Sequence, residues 1–396
     1  MSNTLNRRFF LAGATALAGS AVLAGSTVLA SEVATAGPAR AIGSSAPLQS
    51  QPSLVYGPTP GIAKLDANEN PYGPSTGALK AISEAAARSA YYVGESVRRL
   101  KAMIAERHDL TPEHIGLSAG SSGVLTYLAV AASKTGKILG PDLFWDTTAQ
   151  AAVRQGGELQ RLPRTEDLHI DLDAMYAAID DSISLIHITN PNNPTGLVLD
   201  ASALIEFCIK ASKKATVLID EAYNELTEKP EFNSMVPLIK QGHDVVVART
   251  FSKIYGMAGM RVGYMIASPE RLELANRFGL GDYAMNQAGV AAAIASYNDE
   301  TFLSYSKSRI VEAREMIVAT ARASGLRPLP SETNFVFIDL ANRNAEAFRE
   351  KMAGRSVLIR GIYRDYTQWS RVSMGLMQDV EKYVAALPAV LDELPV

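Results

Sequence analysis

Lys253 is the residue whose surroundings point most directly to chemistry. A Val-rich run at 244–248 predicts a buried strand, and Lys253 follows it among glycines with few charges nearby. Burial disfavours the ammonium form of a lysine, so it lowers the pKa and leaves a free amine that can attack a carbonyl carbon. The same local pattern also fits a surface lysine in a glycine-containing loop.

Groups that suit a phosphate flank this lysine. Thr250 and Ser252 offer hydroxyl groups on one side, and Arg261 offers a guanidinium fork on the other. An amine nucleophile beside a phosphate-binding segment predicts a Schiff base between Lys253 and pyridoxal 5'-phosphate (PLP).

A second segment is built to meet an anion. The string AGSSG at 119–123 separates a predicted strand at 115–118 from a predicted helix at 124–133. Small residues at the start of a helix leave backbone N–H groups free, and the helix dipole adds to their attraction for negative charge. The sequence therefore predicts an anion site at the start of this helix.

Two further predicted strands end in polar side chains. The apolar run 216–219 leads to Asp220, and the run 184–188 leads to a rigid turn with two Asn-Pro steps that contains Asn193. A buried carboxylate is costly unless it meets a positive charge, and the protonated ring nitrogen of PLP would provide one. The carboxylate would then raise the pKa of that nitrogen by roughly 1–3 units. The structural alternative for Asp220 is a helix cap.

Several of these strings resemble one family. The segment 250–264 resembles the lysine signature of the fold-type I, class I/II aminotransferases, in the branch that contains histidinol-phosphate aminotransferase. The strings LDANENPYG at 65–73, NNPTG at 192–196 and SRVSMG at 370–375 resemble further motifs and occur in the family's order. The resemblance covers residues 64–391. It implies an α/β chain of the PLP-transferase fold type I, PLP as cofactor, and a homodimer.

The resemblance also implies roles for the side chains. Lys253 would form the Schiff base and act as general base and then acid, and Asp220 would bind the ring nitrogen of PLP. Asn193 and Tyr223 would reach the phenolic oxygen of PLP, and Arg371 would bind the substrate α-carboxylate. The other cofactor-binding positions implied are Gly120, Ser121, Ser122, Trp145, Thr250, Ser252, Arg261 and, from the neighbouring subunit, Tyr92. Tyr72 and Asn193 would face the substrate.

One position and one specificity remain open. Relatives stack an aromatic ring on the cofactor, and counting back from Gly156 favours Trp145, whereas counting forward from Pro141 lands nearer Leu143. Trp145 is our choice, with Phe144 as the alternative. Leu376 and Met377 follow the last motif, where relatives have small or polar residues, so the substrate side chain is not defined.

The order of elements predicts the fold class. Strands expected near 137, 158, 184, 216, 244 and 261 alternate with helices, which is typical of a mostly parallel sheet covered by helices. From about residue 286 long helices surround two short strands, which predicts a smaller α+β domain. We therefore divide the chain into a signal peptide (1–36), a linker and N-terminal arm (37–75), a large PLP-binding domain (76–285) and a small C-terminal domain (286–396).

The first residues predict export. Arg7 and Arg8 precede an uncharged stretch at 9–30, and this order is a twin-arginine export signature. The eight Leu, Val and Phe residues in that stretch contribute only about -0.3 to -0.6 kcal/mol each to insertion, so a cleaved signal is favoured over an anchor. Cleavage is expected after Ala30 or Ala36. The expected location is the periplasm or the exterior, with no stable membrane span after cleavage.

Composition excludes several classes of function. The 38 Lys and Arg residues nearly balance the 41 Asp and Glu residues, which gives no electrostatic footprint for nucleic acid. Cys208 is the only cysteine, and the five histidines are scattered without ligand spacing, so no metal site is predicted.

Three functions remain open at this stage. The first is transamination between an α-amino acid, or the amino-acid group of a larger metabolite, and a 2-oxo acid. The second is another PLP reaction on the same fold, such as that of a lyase or decarboxylase. The third is a binding protein that retains PLP without catalysis. Histidinol phosphate is disfavoured as substrate, because histidine is made in the cytoplasm and this chain carries an export signature.

Overall fold

The computed structural model describes residues 56–394. The predicted signal peptide and residues 37–55 of the predicted linker and arm lie outside the described residues. The strands within 56–394 are β1 (Ala63–Leu65), β2 (Ile115–Ser118), β3 (Lys137–Pro141), β4 (Leu159–Leu162), β5 (Ile183–Thr189), β6 (Thr216–Asp220), β7 (Val245–Thr250), β8 (Gly263–Ile266), β9 (Arg327–Pro328), β10 (Phe335–Asp339), β11 (Val357–Ile359) and β12 (Trp369–Ser373).

Helices separate the strands from β2 to β7, whereas no α-helix lies between β7 and β8. Those within 56–394 are α1 (Thr76–Ala86), α2 (Glu95–Arg107), α3 (Ser121–Ala132), α4 (Thr147–Val153), α5 (Leu172–Ala177), α6 (Ala201–Ala211), α7 (Val236–Lys240), α8 (Pro269–Asn276), α9 (Gln287–Ser296), α10 (Glu300–Ala323), α11 (Ala345–Ala353) and α12 (Met377–Asp392). In the described part of the chain, no helix combines the length and the apolar character that crossing a membrane requires.

A seven-stranded sheet forms the centre, with the strand order β2-β8-β7-β6-β5-β3-β4. Only β8 runs antiparallel to its neighbours among these strands, so the predicted mostly parallel sheet is confirmed. Strands β6 and β7 are buried along their whole length, as expected for strands with helices on both faces. This burial explains why they read as continuous apolar runs in the sequence.

The register of the central strands brings the functional loops to one edge. Thr189 of β5 pairs with Asp220 of β6, and Asp220 pairs with Ala248 of β7. The carboxyl ends of these parallel strands therefore lie side by side, at the edge where open α/β sheets place their ligands. The loops that follow carry Asn193, Tyr223 and Lys253.

The C-terminal part contains a separate three-stranded sheet with the order β12-β10-β9. Strand β1, from the segment read as an arm, pairs in parallel with β11. The two short strands predicted beyond residue 286 correspond to β10 and β11, whereas β12 was identified from the sequence only as a motif. Helix α9 packs on α1 and α2. The division of the folded part at residue 286 stays a prediction.

Candidate active site

Lys253 lies three residues beyond the end of β7, with its amine inside the site. Its Nζ donates a hydrogen bond to the backbone carbonyl of Asn68 at 3.1 Å and lies 5.4 Å from the centre of the Tyr223 ring. Burial and the charge of Arg371 lower the pKa of Lys253 to about 8, against the opposing effect of Asp220. A larger fraction of the amine is therefore uncharged near neutral pH than in an exposed lysine, and the amine can act as a nucleophile.

Asp220 ends β6 and is 2% exposed. Within the described residues its carboxylate accepts one hydrogen bond, from the Ala222 N–H at 3.2 Å. Burial raises the pKa of Asp220 to about 7, although that hydrogen bond and the charge of Lys253 lower it. A buried carboxyl group with a single donor can accept a positively charged partner.

Tyr223 and Asn193 meet in front of these groups. The Tyr223 hydroxyl accepts hydrogen bonds from Asn193 Nδ2 at 3.3 Å and from Asn68 Nδ2 at 2.9 Å. Burial raises the pKa of Tyr223 to about 12, so this phenol is neutral at physiological pH. Its ring packs edge to face on Phe335, with the two centres 5.2 Å apart.

Arg371 approaches from β12 and is 6% exposed. Its Nη1 donates to Asn193 Oδ1 at 2.9 Å, and its Nη2 donates to the Asp66 carbonyl at 2.9 Å. Its Nε is buried and has no hydrogen-bond partner among the described residues. A buried guanidinium with a free N–H and no carboxylate partner suits an incoming anion.

The predicted anion site lies at the start of α3. Gly120 has a φ of +76° and precedes the helix, and the Ser121 and Ser122 N–H groups have no acceptor among the described residues. Gly263 of β8 lies directly against this turn, since a Cβ there would come within 2.1 Å of the Ser121 nitrogen. Only glycine at 263 permits this approach, which places the helix start beside the lysine loop.

The predicted phosphate-binding side chains converge on the same turn. Thr250 pairs with Gly263, and its Oγ1 donates to Ser252 Oγ at 2.9 Å. Arg261, exposed and with a left-handed φ of 55°, donates from Nη2 to the Ala119 carbonyl at 3.2 Å. The hydroxyls, the guanidinium and the free N–H groups thus lie around the same turn.

The LDANENPYG segment crosses the site and ties its two sides together. Asn70 Nδ2 donates to the Ile254 carbonyl at 2.6 Å, next to Lys253. Gly73 and Gly256 touch, because a Cβ on Gly256 would lie 2.5 Å from the Gly73 Cα. On the other side, Asn334 Nδ2 donates to the Glu69 carbonyl at 3.0 Å. The segment is therefore fixed to both the lysine loop and the small C-terminal sheet.

The two candidate stacking rings lie in different surroundings. Phe144 is 5% exposed, and it packs edge to face on the buried His187 at 5.1 Å. Trp145 is only partly buried and packs at the edge of an apolar cluster that includes α3 residues. Trp145 is the less buried of the two rings, so it stays our prediction for the stacking residue. Leu143 is buried in another apolar cluster.

Two predicted site residues are not brought to Lys253. Tyr72 packs edge to face on Tyr305 of α10, with centres 5.8 Å apart, and its hydroxyl is buried without a partner among the described residues. Tyr92 is 98% exposed and touches none of the site residues named above. The role of Tyr92 depends on a second subunit and stays a prediction.

Two residues that contact the site were not predicted from the sequence. Asn68 contacts Lys253 and Tyr223, but it was quoted only as part of a motif. Arg360 pairs across strands with Arg371, and the two guanidinium carbons each lie 5.5 Å from the Tyr363 ring centre. The LDANENPYG string was the available signal for Asn68, and no local pattern distinguished Arg360.

The arrangement fits PLP. The free N–H groups and Arg261 suit its phosphate, Asp220 suits its ring nitrogen, and Asn193 with Tyr223 suits its phenolic oxygen. Lys253 supplies the amine for its aldehyde. No group of His, Cys, Asp and Glu able to hold a metal ion occurs between residues 56 and 394.

Comparisons with known proteins agree with this fit. Residues 60–387 match the family model of the aminotransferases of class I and II. The chain is 31% identical over 332 residues to histidinol-phosphate aminotransferase from Moorella thermoacetica, covering 83% of this chain and 86% of that protein. It is 32% identical over 331 residues to aromatic amino acid aminotransferase from Thermobifida fusca, covering 83% and 90%.

A solved structure supports the cofactor. Histidinol-phosphate aminotransferase from Sinorhizobium meliloti, in complex with pyridoxal-5'-phosphate, matches with a TM-score of 0.78 and 29% identity over 84% of this chain and 91% of that chain. The chain belongs to the class I and II aminotransferases, and it is a PLP-dependent enzyme of fold type I that transaminates an amino acid.

Proposed function

We propose that the substrates are an α-amino acid and a 2-oxo acid whose α-carboxylates bind Arg371. The observation that carries this proposal is the Arg371 guanidinium, which is buried, lacks a carboxylate partner among the described residues and keeps a free Nε. A planar guanidinium binds a carboxylate through two parallel hydrogen bonds. Arg371 Nη2 donates to the backbone carbonyl of Asp66 in this structure, and a substrate carboxylate oxygen would replace that carbonyl as the acceptor.

Each residue of the site would then have a separate role in the reaction. Bound PLP provides the electron sink for the bond electrons released at the substrate Cα. Lys253 Nζ, uncharged above about pH 8, accepts the Cα proton and later returns it. Asp220 would hold positive charge at the ring nitrogen, and Tyr223 with Asn193 would hold negative charge at the phenolic oxygen. This division favours transamination over a non-catalytic role for the bound cofactor.

The pairing of Arg360 with Arg371 extends the proposal to the rest of the substrate. Both guanidinium groups flank the ring of Tyr363, whereas Arg360 is exposed and Arg371 is buried. A substrate with a second anionic group, as in a dicarboxylic or a phosphorylated amino acid, would meet Arg360 after Arg371 has bound the α-carboxylate.

The substrate proposal is tested by a donor screen. Purified PLP-loaded protein is mixed with single amino donors, including glutamate, phenylalanine and histidinol phosphate, while the conversion of bound cofactor is followed by absorbance. The Arg371→Lys variant should raise KM for carboxylate donors by at least about tenfold, because one bidentate contact is lost. An unchanged KM would contradict the role of Arg371. Arg360→Lys should affect only donors with a second anionic group.

We further propose export by the twin-arginine route. Arg7, Arg8 and the uncharged stretch at 9–30 support it, together with its fit to a protein that is loaded with PLP before transport. In a bacterial host with a twin-arginine pathway, the protein should appear outside the cytoplasm. Replacement of both arginines by lysine should keep it inside, and equal export of both forms would contradict the proposal.

A homodimer is the last part of the proposal. Large exposed aromatic side chains on the segment after α1 and on the turn before α9 support it: Tyr91 is 70% exposed, Tyr92 is 98% exposed and Tyr283 is 90% exposed. A second copy of the chain would cover them and bring Tyr92 to the partner's phosphate site. Sedimentation at micromolar concentration should give twice the monomer mass, and a monomer would contradict this part.

A further inference from the structure

The hydrogen bonds at the Tyr223 hydroxyl have a defined direction. Its oxygen receives N–H donors from two amides, Asn193 Nδ2 and Asn68 Nδ2. No group among residues 56–394 accepts a hydrogen bond from the hydroxyl itself. A phenol has one proton to donate, so its proton is left for another acceptor.

The direction of the Asn193 amide is fixed by its other partner. Asn193 Oδ1 accepts from Nη1 of Arg371 at 2.9 Å. A guanidinium can only donate, so the oxygen of the amide must face Arg371. The NH₂ group of Asn193 therefore faces Tyr223.

The direction of the Asn68 amide is likewise fixed by a second partner. Ser373 Oγ donates to Asn68 Oδ1 at 2.7 Å, and this is its only hydrogen bond within the described chain. Ser373 is 0% exposed, so turning the amide around would leave the serine proton buried without an acceptor. A buried donor without an acceptor is unfavourable. The NH₂ group of Asn68 therefore also faces Tyr223.

Both fixing residues come from one strand. Arg371 and Ser373 are two residues apart in β12, so their side chains project from the same face. Asn68 meanwhile presents its backbone carbonyl to Lys253 Nζ at 3.1 Å. One asparagine thus contacts the amine, the phenol and the strand that carries Arg371.

We propose that β12 sets the direction of the hydrogen bonds at Tyr223, with Asn68 as a positioning residue. Ser373 orients Asn68, Arg371 orients Asn193, and the two amides leave the Tyr223 proton for the group bound in front of Lys253. That group is the phenolic oxygen of PLP. This identification rests on the proposed placement of Tyr223 beside the cofactor.

The first test reverses one hydrogen bond. In Asn68→Asp a carboxylate, which only accepts, replaces the NH₂ donor, so the Tyr223 proton turns toward it and away from the cofactor. A phenolic oxygen without its donor holds negative charge less well, so the pH midpoint of the visible absorbance change of the lysine-bound cofactor should rise by about one unit or more. Asn68→Ala, which leaves the Tyr223 proton free, should give a smaller rise.

A double-mutant cycle separates hydrogen-bond direction from added charge. In a Tyr223→Phe background there is no hydroxyl to turn, so Asn68→Asp should shift the midpoint by less than half as much as in the wild type. An equal shift in both backgrounds would mean that charge alone acts, and it would overturn the proposal. If Tyr223→Phe by itself leaves the midpoint unchanged, Tyr223 does not contact the cofactor and the placement itself fails.

The second test needs no catalysis or cofactor titration. In full-length protein with ¹⁵N-labelled asparagine, the side-chain amide signal of Asn68 is identified by its loss in Asn68→Asp. Ser373→Ala should move that signal, and Ser370→Ala should not. Ser370 is the matched control, because it lies on the same strand and donates to the Arg360 carbonyl at 2.9 Å. If the chemical shift of the Asn68 amide is unchanged in Ser373→Ala, or changes equally in both variants, the proposal is overturned.

Discussion

Asp220 and Glu221 are adjacent carboxylates at the end of β6, and the protein treats them in opposite ways. Both are buried, with 2% and 0% of the residue exposed. Glu221 accepts two hydrogen bonds from Arg249, at 2.7 and 3.1 Å, one from Ser234 Oγ at 3.0 Å and one from the Met235 N–H at 2.7 Å. Asp220 accepts one within the described residues, from Ala222.

This difference separates a structural charge from a functional one. Successive residues of a strand point to opposite faces, so Glu221 is turned away from Asp220 and toward Arg249 of β7. In the buried pair of Glu221 and Arg249 the carboxylate has all its hydrogen-bond donors. Glu221 and the nearby Glu225 raise the pKa of Arg249 despite its burial. The Asp220 carboxyl group has no ion-pair partner within residues 56–394, titrates near neutral pH and can therefore respond to a bound cation.

The largest effect is expected when the structural pair is broken. Glu221→Gln leaves Arg249 buried with only the more distant Glu225 at 3.7 Å, so the free energy of unfolding should fall by about 3–5 kcal/mol. Urea denaturation of the apoprotein measures this. Glu206→Gln, which removes an exposed pair with Lys210, is the matched control and should cost less than about 1 kcal/mol. Equal losses of unfolding free energy in the two variants would contradict the structural role of the Glu221–Arg249 pair.

The next largest effect falls on catalysis. Asp220→Asn keeps the shape of the side chain but removes the negative charge from the ring nitrogen, so kcat should fall by about 10²–10³-fold. That loss corresponds to roughly 3–4 kcal/mol of barrier. Steady-state kinetics with the best donor measure it. A folded variant with wild-type kcat would show that Asp220 is as structural as its neighbour.

The pH dependence of stability should then distinguish the two carboxylates. Because the pKa of Asp220 is raised from 3.8 to about 7, its carboxyl binds a proton more tightly in the folded apoprotein than in the unfolded chain. Its contribution to stability is therefore complete below about pH 4 and is lost as the pH rises through 7. Unfolding free energies at pH 4.5 and 8 should differ less in Asp220→Asn than in the wild type, by roughly 1–3 kcal/mol. Parallel pH profiles would contradict this.

The smallest effect concerns one donor to the structural pair. Ser234→Ala removes the hydroxyl that donates to Glu221 and accepts from Arg249, and it should lower the free energy of unfolding by about 1.5 kcal/mol with little change in kcat. Thermal unfolding measures it against Ser308→Ala, which removes an exposed serine hydroxyl. A large fall in kcat without loss of stability would link the structural pair to the chemistry after all.

The comparison also shows what the sequence could predict. Strand β2 falls on the predicted residues. Asp220 ends β6, and Asn193 and Lys253 lie in the loops after β5 and β7, as expected, because local periodicity and turn residues define strand ends. Nothing local distinguished Asp220 from Glu221. Glu221 pairs with Arg249, which lies 28 residues further along the chain, and only the sheet register brings the two together.

Long-range contacts account for the other omissions. Asn68 lies 155 residues from Tyr223 and 305 residues from Ser373 in sequence, so no window of the chain contains its partners. Arg360 is close to Arg371 in sequence, but its pairing depends on an antiparallel bridge that periodicity did not reveal. The ring at 144 or 145 was left open by counting, whereas burial of Phe144 against His187 favours Trp145.

The most direct measurement of the central claim is chemical capture of the lysine. Borohydride reduction of the PLP-loaded protein, followed by proteolysis and peptide mass mapping, should place the cofactor on Lys253, and Lys253→Ala should lose both the label and turnover. A label on any other side chain, or no label in a protein that remains active, would contradict the account.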